Sequence, residues 1–231
     1  METNELVEQM SFKKNNYLVL KNAISKELAN FLYIYFQNKK NAIAYMLDKK
    51  YISPFEKDHG HFQDSFIPNS FARYADPAFE TLLMGLKNKI EKNTKLKLNE
   101  TYSYARLYKK GDELVRHKDR YSCEVSVTLN LGGDPWPIFI EPDSSKGKLD
   151  PVNRKYISAN TKGVSISLEP GDVMIYKGID CEHWREPFNG DICGQVFLHY
   201  NDVKTRLADF NKYDTRPGLC LPEWFKKTQL P

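Results

Sequence analysis

The second half of the chain is a series of short runs in which apolar and polar residues alternate, with Gly, Pro, Asn and Asp between the runs. Alternation with a period of two is typical of strands that bury one face, and turn residues mark where each strand ends. Strands are predicted over 101–109, 113–119, 123–131, 136–142, 163–170, 172–178, 182–188 and 194–200. Eight short strands at this spacing favour a sandwich or barrel of antiparallel sheets.

The chain before these strands is predicted to be mainly helical, after a short strand over 16–22. A first helix begins after Ser25, whose hydroxyl can accept a hydrogen bond from a free N–H group of the first turn. A second helix runs from Pro77 to about Lys92, because Asp76 can cap it in the same way. The polar stretch 51–75 is predicted to be a loop. The stripe of the first helix that is expected to face the core consists of Leu28, Phe31, Leu32 and Tyr35.

Length and composition limit the class of protein. A chain of 231 residues is long enough for one well-packed domain, and a single domain is predicted. No run approaches the roughly 18 apolar residues that a membrane span needs, and the N-terminus lacks the apolar segment of an export signal. A soluble, cytoplasmic protein without a membrane partner is therefore expected.

Charge and cysteine content argue against two kinds of site. The net charge of +4 is small, and the lysine clusters at 48–50 and 87–97 are interpreted as solvated helix faces, so nucleic acid is not expected as a partner. The four cysteines contain no Cys-x-x-Cys pair, so buried thiols are expected instead of a zinc site or disulfides. They are Cys123, Cys181, Cys193 and Cys220.

Two histidines and an aspartate lie where they can bind a metal ion together. His117 precedes Asp119 by two residues on a predicted strand, so both side chains point to one face of the sheet. His183, on a later strand, is the candidate third ligand. Two histidines and one carboxylate bind iron(II) from one side and leave its other positions open.

The remaining histidines are given other interpretations. His59 and His61 lie in the polar loop and are interpreted as solvated, with metal binding as the alternative. His199 is interpreted as a sheet histidine with its own hydrogen-bond partner. Arg116 and Lys118 alternate with the two ligands and are predicted to face outward into solvent.

In this order, the segments resemble the iron(II)- and 2-oxoglutarate-dependent oxygenases of the prolyl 4-hydroxylase-like branch. The similarity covers roughly 99–202 and rests on YARLYKKGDELVRHKD (104–119), LEPGDVMIYKG (168–178) and EHWREPFNG (182–190). It implies a mostly β, α+β fold: a double-stranded β-helix (a jelly-roll, cupin-like barrel) buttressed by N-terminal helices. Residues 1–98 would support the barrel, 99–202 would form it, and 203–231 would be a C-terminal extension.

The resemblance also implies a reaction. His117, Asp119 and His183 would hold Fe(II), 2-oxoglutarate would chelate the metal as a cosubstrate, and O2 would take the remaining position. Related halogenases carry a small residue at the position of Asp119, so this aspartate favours hydroxylation. Succinate and CO2 would be released.

The far carboxylate of 2-oxoglutarate needs a buried cation, because an unpaired charge is costly away from water. The family places a Lys or Arg on the eighth strand, where this chain has Ile192 and Cys193. Arg185 is the predicted replacement, because it lies two residues after the distal histidine and shares its face. A rim ion pair with Glu182 or Glu186 is the alternative.

Other residues are lesser candidates for the cosubstrate pocket. Tyr108 looks like the family's tyrosine that donates to the cosubstrate, and Thr128 falls where another strand residue lines that pocket. Arg106 belongs to a polar face with Tyr104 and Tyr108, and Lys177 is a further basic candidate.

The substrate is expected to be a peptide or protein, hydroxylated on a prolyl or other amino-acid side chain. Arg120, Trp136 and Trp184 are the candidate substrate contacts, with rim packing as the alternative. A free amino acid or small metabolite is an alternative substrate, because one fold serves many. Nucleic-acid dealkylases carry an extra arginine that has no counterpart after Arg185. Alternatives of other classes are a non-catalytic binding barrel with a vestigial metal site and a zinc site.

Overall fold

The computed structural model describes residues 12–64, 66–150, 152 and 155–227. Its helices are α1 (Phe12–Asn15), α2 (Lys26–Asp48), α3 (Pro77–Thr94) and α4 (Ala208–Asn211). Its strands are β1 (Tyr17–Leu20), β2 (Phe71–Tyr74), β3 (Leu98–Lys109), β4 (Leu114–His117), β5 (Val125–Gly133), β6 (Ile138–Ile140), β7 (Lys148–Leu149), β8 (Tyr156–Ile157), β9 (Val164–Ile166), β10 (Val173–Lys177), β11 (His183–Arg185) and β12 (Ile192–Asp202). Among these residues, no helix is long and apolar enough to cross a membrane.

The eight predicted strands all form, as β3 to β6 and β9 to β12. The large sheet has the order β1-β10-β5-β12-β3-β2, and the small sheet has the order β4-β11-β6-β9. Each sheet holds four of the predicted strands, and neighbouring strands are antiparallel. Two such sheets, with the chain passing repeatedly from one to the other, form a jelly roll, which confirms the predicted fold class.

The large sheet is buried on both faces, and the two faces differ in chemistry. On β5, Val127 and Leu129 join the apolar core formed with α2 and α3. Ser126 and Thr128 alternate with them, are fully buried and point into the barrel. The helices therefore cover one face with apolar side chains, and the interior of the barrel is left for polar residues.

The helices begin where their caps predict, but the buried stripe of α2 differs from the prediction. Ser25 Oγ accepts from Leu28 N at 3.2 Å. Leu28 and Phe31 are 41% and 66% exposed, so their predicted core position is wrong. Phe36 determines which face of α2 is buried, because its ring packs on Phe71 and Phe79 at centroid distances of 5.2 Å. The residues of α2 that are buried are Ala29, Leu32, Phe36 and Ile43.

The predicted loop over 51–75 is wrong at its end, because Phe71–Tyr74 forms β2 and pairs with β3. The run FARY does not alternate apolar and polar residues, so no strand period marks it in the sequence. The strands β7 and β8 have two residues each, too few to show a period. All four cysteines are free thiols, and the predicted burial holds for Cys123, Cys181 and Cys193 but is wrong for Cys220, which is exposed.

The segment after the barrel, 203–227, folds back against it. Arg216 Nη2 lies 2.7 Å from Glu80 Oε1 of α3, and neither side chain is exposed. Arg216 also donates to the carbonyl of Thr101 on β3 at 3.2 Å. Three consecutive residues, Tyr213, Asp214 and Thr215, have left-handed φ values of 54°, 55° and 67°. Residues without glycine's freedom hold this conformation only where surrounding contacts fix it.

Candidate metal centre

Strand pairing brings the three predicted metal ligands together. β4 and β11 are neighbours in the small sheet, and their register places His183 opposite His117. Asp119 follows directly after β4. Its Oδ1 atom lies 3.5 Å from His117 Nε2 and 3.6 Å from His183 Nε2. The three side chains form one of the groups whose geometry can hold a metal ion.

Both imidazoles are oriented by the backbone. His117 Nδ1 lies 2.8 Å from Val115 O, and His183 Nδ1 lies 3.0 Å from Cys181 O. A carbonyl oxygen only accepts, so each Nδ1 carries the hydrogen and each Nε2 keeps its lone pair. Two nitrogen lone pairs and a carboxylate oxygen therefore meet at one point. The donor set fits a metal ion with two histidine ligands and one carboxylate ligand.

The electrostatics of the cluster favour a cation at this point. Burial lowers the pKa of His117, but the hydrogen bond and charge of Asp119 outweigh burial and raise this pKa above its usual value. Burial opposes ionisation of Asp119, but the charge of His183 and the Nε2–H groups of the imidazoles in their protonated form hold its pKa well below its usual range. Metal and protons compete for the same atoms, so metal affinity is expected to fall as the pH is lowered.

The second oxygen of Asp119 is held from the large sheet. Ser126 Oγ donates to Asp119 Oδ2 at 2.7 Å and lies 3.0 Å from His199 Nδ1. Burial lowers the pKa of His199 to about 4, so this imidazole is neutral at ordinary pH. The hydrogen-bond partner expected for His199 is therefore the Ser126 hydroxyl, which also orients the candidate ligand Asp119. Ser126 is not among the site residues predicted from the sequence, although the period of two places it on the same face as Thr128.

Gly178 packs directly behind the aspartate ligand. Its carbonyl accepts from Asp119 N at 2.8 Å. A Cβ atom added at Gly178 would lie 2.6 Å from Ser126 Oγ, and closer still to Asp119 Oδ2 and Cys123 O. We expect Gly178→Ala to displace the carboxylate, lowering metal affinity by roughly 10- to 100-fold and the free energy of unfolding by about 1–3 kcal/mol. Calorimetric titration with Co(II) and urea unfolding measure the two effects.

Gly85→Ala on α3 is the matched control, because a Cβ atom added there meets nothing within 4 Å. It should keep full metal affinity and stabilise the helix by about 0.5–1 kcal/mol. Equal metal affinity in the two variants would show that Gly178 does not set the position of Asp119.

A cavity of about 510 Å³ leads from the three ligands toward the surface. Four of the predicted cosubstrate and substrate residues line it: Tyr104, Arg106, Tyr108 and Arg120. Tyr102, Tyr176 and Phe197 add aromatic surface. The structure therefore brings the metal ligands and the polar face of β3 to one cavity, as the alternation in that strand predicts.

Arg185 is 1% exposed and points into the barrel beside this cavity. One Nη atom donates to Trp136 O, and the other lies 3.2 Å from Gln195 Oε1 and 3.5 Å from Thr128 Oγ1. Its Nε atom is buried and has no hydrogen-bond partner. The charged groups that act on it include no carboxylate, and burial lowers the pKa of the guanidinium. Arg185 is therefore a buried cation without an anionic partner in the described chain.

The alternative rim pairing of Arg185 does not form. Glu182 Oε2 accepts from Ala159 N at 3.1 Å, and Glu186 Oε1 accepts from Trp184 Nε1 at 2.8 Å. Both glutamates thus bond outside the barrel. Cys193, on the eighth barrel strand, is buried and supplies no charge for the cosubstrate.

The other basic candidates are differently placed. Arg106 faces the cavity, but its guanidinium forms an ion pair with Asp64, which also accepts from Tyr104 OH at 2.9 Å. Lys177 lies on the face of β10 that carries Ile175, opposite Tyr176, and so points away from the barrel interior. The candidacy of Lys177 is therefore contradicted.

The two tryptophans do not border the open side of the metal cluster, and this expectation is corrected. Trp184 lies between His183 and Arg185 in sequence and so on the outer face of β11. Its ring stacks on Phe139 at 5.4 Å and under the Arg116 guanidinium at 3.4 Å. Arg116 therefore covers an aromatic ring instead of facing only solvent.

Trp136 packs deeper in the barrel. Its ring meets Tyr108 edge-on at 4.7 Å and lies 5.0 Å from the Arg185 guanidinium. Its Nε1 atom donates to Glu186 O at 2.8 Å. Trp136 therefore packs beside the buried Arg185 and does not line the cavity that leads to the metal cluster.

Arg120, in contrast, lies at the mouth of the cavity and is held by the C-terminal segment. Its Nη1 and Nη2 atoms donate to the two oxygens of Asp214 at 2.8 Å each. Its guanidinium lies 4.7 Å from the centre of the Tyr102 ring. Asp214 also accepts from Tyr74 OH at 2.8 Å and pairs with Lys226 Nζ at 2.8 Å. These contacts fix the left-handed residues of this segment.

We expect Asp214 to make stability depend on pH. Burial would raise the pKa of this carboxyl, but the hydrogen bonds and charge of Arg120 hold it well below its usual range. A depressed pKa in the folded state stabilises the fold above the unfolded pKa of about 3.9, and this stabilisation is lost as the pH falls. Asp214→Asn should therefore remove roughly 1–3 kcal/mol at neutral pH, and progressively less as the pH falls below about 3.9.

Urea unfolding across this pH range measures the difference. Asp48→Asn is the control, because the Asp48 side chain is 69% exposed. Parallel stability curves for wild type and Asp214→Asn would contradict the prediction.

Among the described residues, the loop histidines belong to no group that can hold a metal. His59 is exposed, and His61 Nδ1 lies 3.1 Å from Gln63 O. The other group with suitable geometry is Asp119, Cys123 and His199, which shares its aspartate with the main cluster.

Solved structures with the same fold are found at low sequence identity. A prolyl-4-hydroxylase from Pseudomonas putida is 16% identical, with a TM-score of 0.52 over 83% of this chain and 95% of its own. AviO1 from Streptomyces viridochromogenes is 12% identical, with a TM-score of 0.61 over 90% and 100%. HygX from Streptomyces hygroscopicus, solved with nickel and 2-oxoglutarate, is 12% identical, with a TM-score of 0.53 over 88% and 89%.

At these identities the likeness shows the fold of the chain. No protein-family model matches it, and no curated protein sequence does. The chemistry of the site therefore has to be argued from its own residues.

Proposed function

We propose that this chain, which has the jelly-roll fold shared with iron- and 2-oxoglutarate-dependent enzymes, is an Fe(II)- and 2-oxoglutarate-dependent dioxygenase that hydroxylates an unactivated C–H bond. The observation that carries the proposal is the convergence of His117, Asp119 and His183 at one end of an open cavity. Bound iron, with 2-oxoglutarate and O2, supplies the oxidising chemistry, and succinate and CO2 are the co-products.

The protein's own residues hold and orient the metal. Both histidines present Nε2 because their Nδ1 atoms are tied to backbone carbonyls. Ser126 and His199 fix the second oxygen of Asp119, so its first oxygen faces the metal position. All three ligands approach from the strands β4 and β11, which leaves the cavity side open.

Arg185 is the residue that we assign to the far carboxylate of 2-oxoglutarate. A buried cation without a carboxylate partner is expensive, and a bound dicarboxylate would neutralise it. Gln195 and Thr128 already hydrogen-bond its second Nη atom and hold it in the barrel. Tyr108 lies on the same side of the cavity and is affected by the charge of Arg185. Arg106 is the weaker candidate, because Asp64 already neutralises it.

The proposed substrate is an amino-acid side chain, in a peptide or as a free amino acid. Support comes from the cavity itself, in which tyrosine rings and the Arg120 guanidinium surround the approach to the metal position. Among proteins of this fold, one is described as a prolyl-4-hydroxylase and another was solved with hygromycin B. The fold therefore accommodates peptide and small-molecule substrates.

The test has two steps. Anaerobic addition of Fe(II) and 2-oxoglutarate should produce a visible charge-transfer band. Succinate formation in air should then rise with the true substrate in a screen of proline-containing peptides and free amino acids. A protein that binds metal without any band or succinate would instead be a non-catalytic barrel.

A further inference from the structure

A second chamber adjoins the metal cavity. It has a volume of about 300 Å³ and lies between the loop before β2, the strands β2 and β3, and the C-terminal segment. Five residues line both spaces, so the two are continuous. They are Asp64, Phe66, Tyr102, Tyr104 and Arg120. A molecule bound at the metal can therefore extend into the chamber.

Two of the four cations that line the chamber are already neutralised. Arg120 and Lys226 both pair with Asp214 at 2.8 Å, and this carboxylate is 3% exposed in its side chain. Lys226 pairs in addition with Glu223, which lies three residues before it and also lines the chamber, at 2.8 Å. These groups form a closed ion-pair network and supply no unpaired charge.

The other two cations, Arg73 and Lys57, are less completely neutralised. Arg73 is 9% exposed in its side chain, and its Nε atom makes no hydrogen bond. The nearest carboxylate, Asp76, is 3.9 Å away and is already bonded to Lys39 at 2.6 Å. Arg73 Nη1 donates to the backbone oxygen of Lys57 at 3.1 Å, which fixes the guanidinium beside that residue. Within the described chain, the Lys57 ammonium has no ion pair.

Asp58 also lines this corner. Trp224 Nε1 donates to its carboxylate at 2.9 Å, but a neutral donor does not neutralise it, and the charge of Asp58 acts on Arg73. Two tyrosine rings of the chamber are covered by cations of the chain itself. Arg120 lies over Tyr102 at 4.7 Å, and Lys226 lies over Tyr74 at 4.6 Å. Ring faces that would hold a cationic ligand are thus covered by the chain's own cations. Asp58 offsets one of the two cations Arg73 and Lys57, so this corner of the chamber keeps one net positive charge.

We propose that the second chamber is a substrate subsite that binds an anionic group, a carboxylate or a phosphate, through Arg73 and Lys57. The inference rests on the proposed function, because it places this group on the same molecule whose C–H bond reaches the metal. The C–H bond would occupy the metal cavity, and the anionic group would neutralise the corner between the loop and β2. The C-terminal segment is then a wall of the active site.

The experiment is calorimetric titration of the protein loaded anaerobically with Fe(II) and saturated with 2-oxoglutarate, so that the Arg185 pocket is filled. Inorganic phosphate and acetate are the two probes, and the tighter one identifies the chemistry. Lys57→Gln and Arg73→Gln should each weaken binding by about tenfold, the loss expected for one charge-assisted hydrogen bond. Lys57 is exposed, so its variant keeps the fold.

Lys92→Gln, at the exposed end of α3, removes the same charge far from the chamber and should bind like wild type. If neither probe binds, or if all three variants bind as tightly as the wild type, the chamber is not a specific anion site and the proposal is overturned. A different outcome separates the two proposals. If phosphate or acetate binding depends on Arg73 but the protein does not bind 2-oxoglutarate, the anion site is retained and the dioxygenase assignment is rejected.

Discussion

Asp119→Ala is expected to abolish both metal binding and turnover. The Oδ1 atom of Asp119 lies 3.5 and 3.6 Å from the two imidazole Nε2 atoms, so the substitution removes one of three ligands. Loss of an outer-shell contact costs roughly 10- to 100-fold in metal affinity or activity, and loss of a ligand should exceed this. The measurement is the charge-transfer band formed on anaerobic addition of Fe(II) and 2-oxoglutarate, which should appear in the wild type and be absent from Asp119→Ala.

Two further variants make this result specific. His117→Ala should also abolish the band, because it removes another ligand of the same ion. Asp48→Ala should leave the band intact, because that carboxylate is 69% exposed at the end of α2. A full band in Asp119→Ala would show that the metal lies elsewhere. Absence of a band in the wild type itself would favour the non-catalytic barrel.

Arg185→Gln should raise the apparent KM for 2-oxoglutarate by roughly 30- to 1,000-fold, equivalent to about 2–4 kcal/mol. The guanidinium is fully buried and has no carboxylate partner, so the cosubstrate would lose its only strong ion pair at this point. Glutamine keeps polar atoms that can bond Gln195 and Thr128. Metal affinity without 2-oxoglutarate should stay close to that of the wild type, because Arg185 contacts none of the three ligands.

Two basic residues serve as comparisons for Arg185. Lys177→Gln should leave the KM unchanged, because Lys177 lies on the outer face of β10. Arg106→Gln should change the KM less than Arg185→Gln, because Asp64 already occupies the Arg106 guanidinium. If the KM is unchanged in Arg185→Gln but raised in Arg106→Gln, then Arg106 is the residue that binds the far carboxylate of 2-oxoglutarate.

Much of the fold follows from local signals in the chain. The period of two identified all eight barrel strands, and two cap residues identified the starts of α2 and α3. These signals are local, because each depends on residues within one turn or one strand. The buried stripe of α2 was predicted wrongly, because it depends on contacts with other elements. Both Leu28 and Ala29 belong to possible helical stripes, and only the packing of Phe36 selects between them.

The strand faces of some site residues could have been predicted correctly from the sequence. The period that puts Arg185 on the face of His183 also puts Trp184 on the other face, so its outward position was predictable. Ser126 was predictable from Thr128 in the same way. Asp64, in contrast, lies in a loop without any period, and its pairing with Arg106 had no signal in the sequence.

The sequence by itself determined the eight barrel strands, the helix caps and the candidate metal-binding pair, because alternation within one predicted strand places His117 and Asp119 on one face. Only the tertiary structure decided which groups stand opposite them. The register of β4 against β11 brings His183 to the pair, and the C-terminal segment brings Asp214 to Arg120 across 94 positions. Such contacts depend on how separate elements pack, and no local pattern encodes the distance between them.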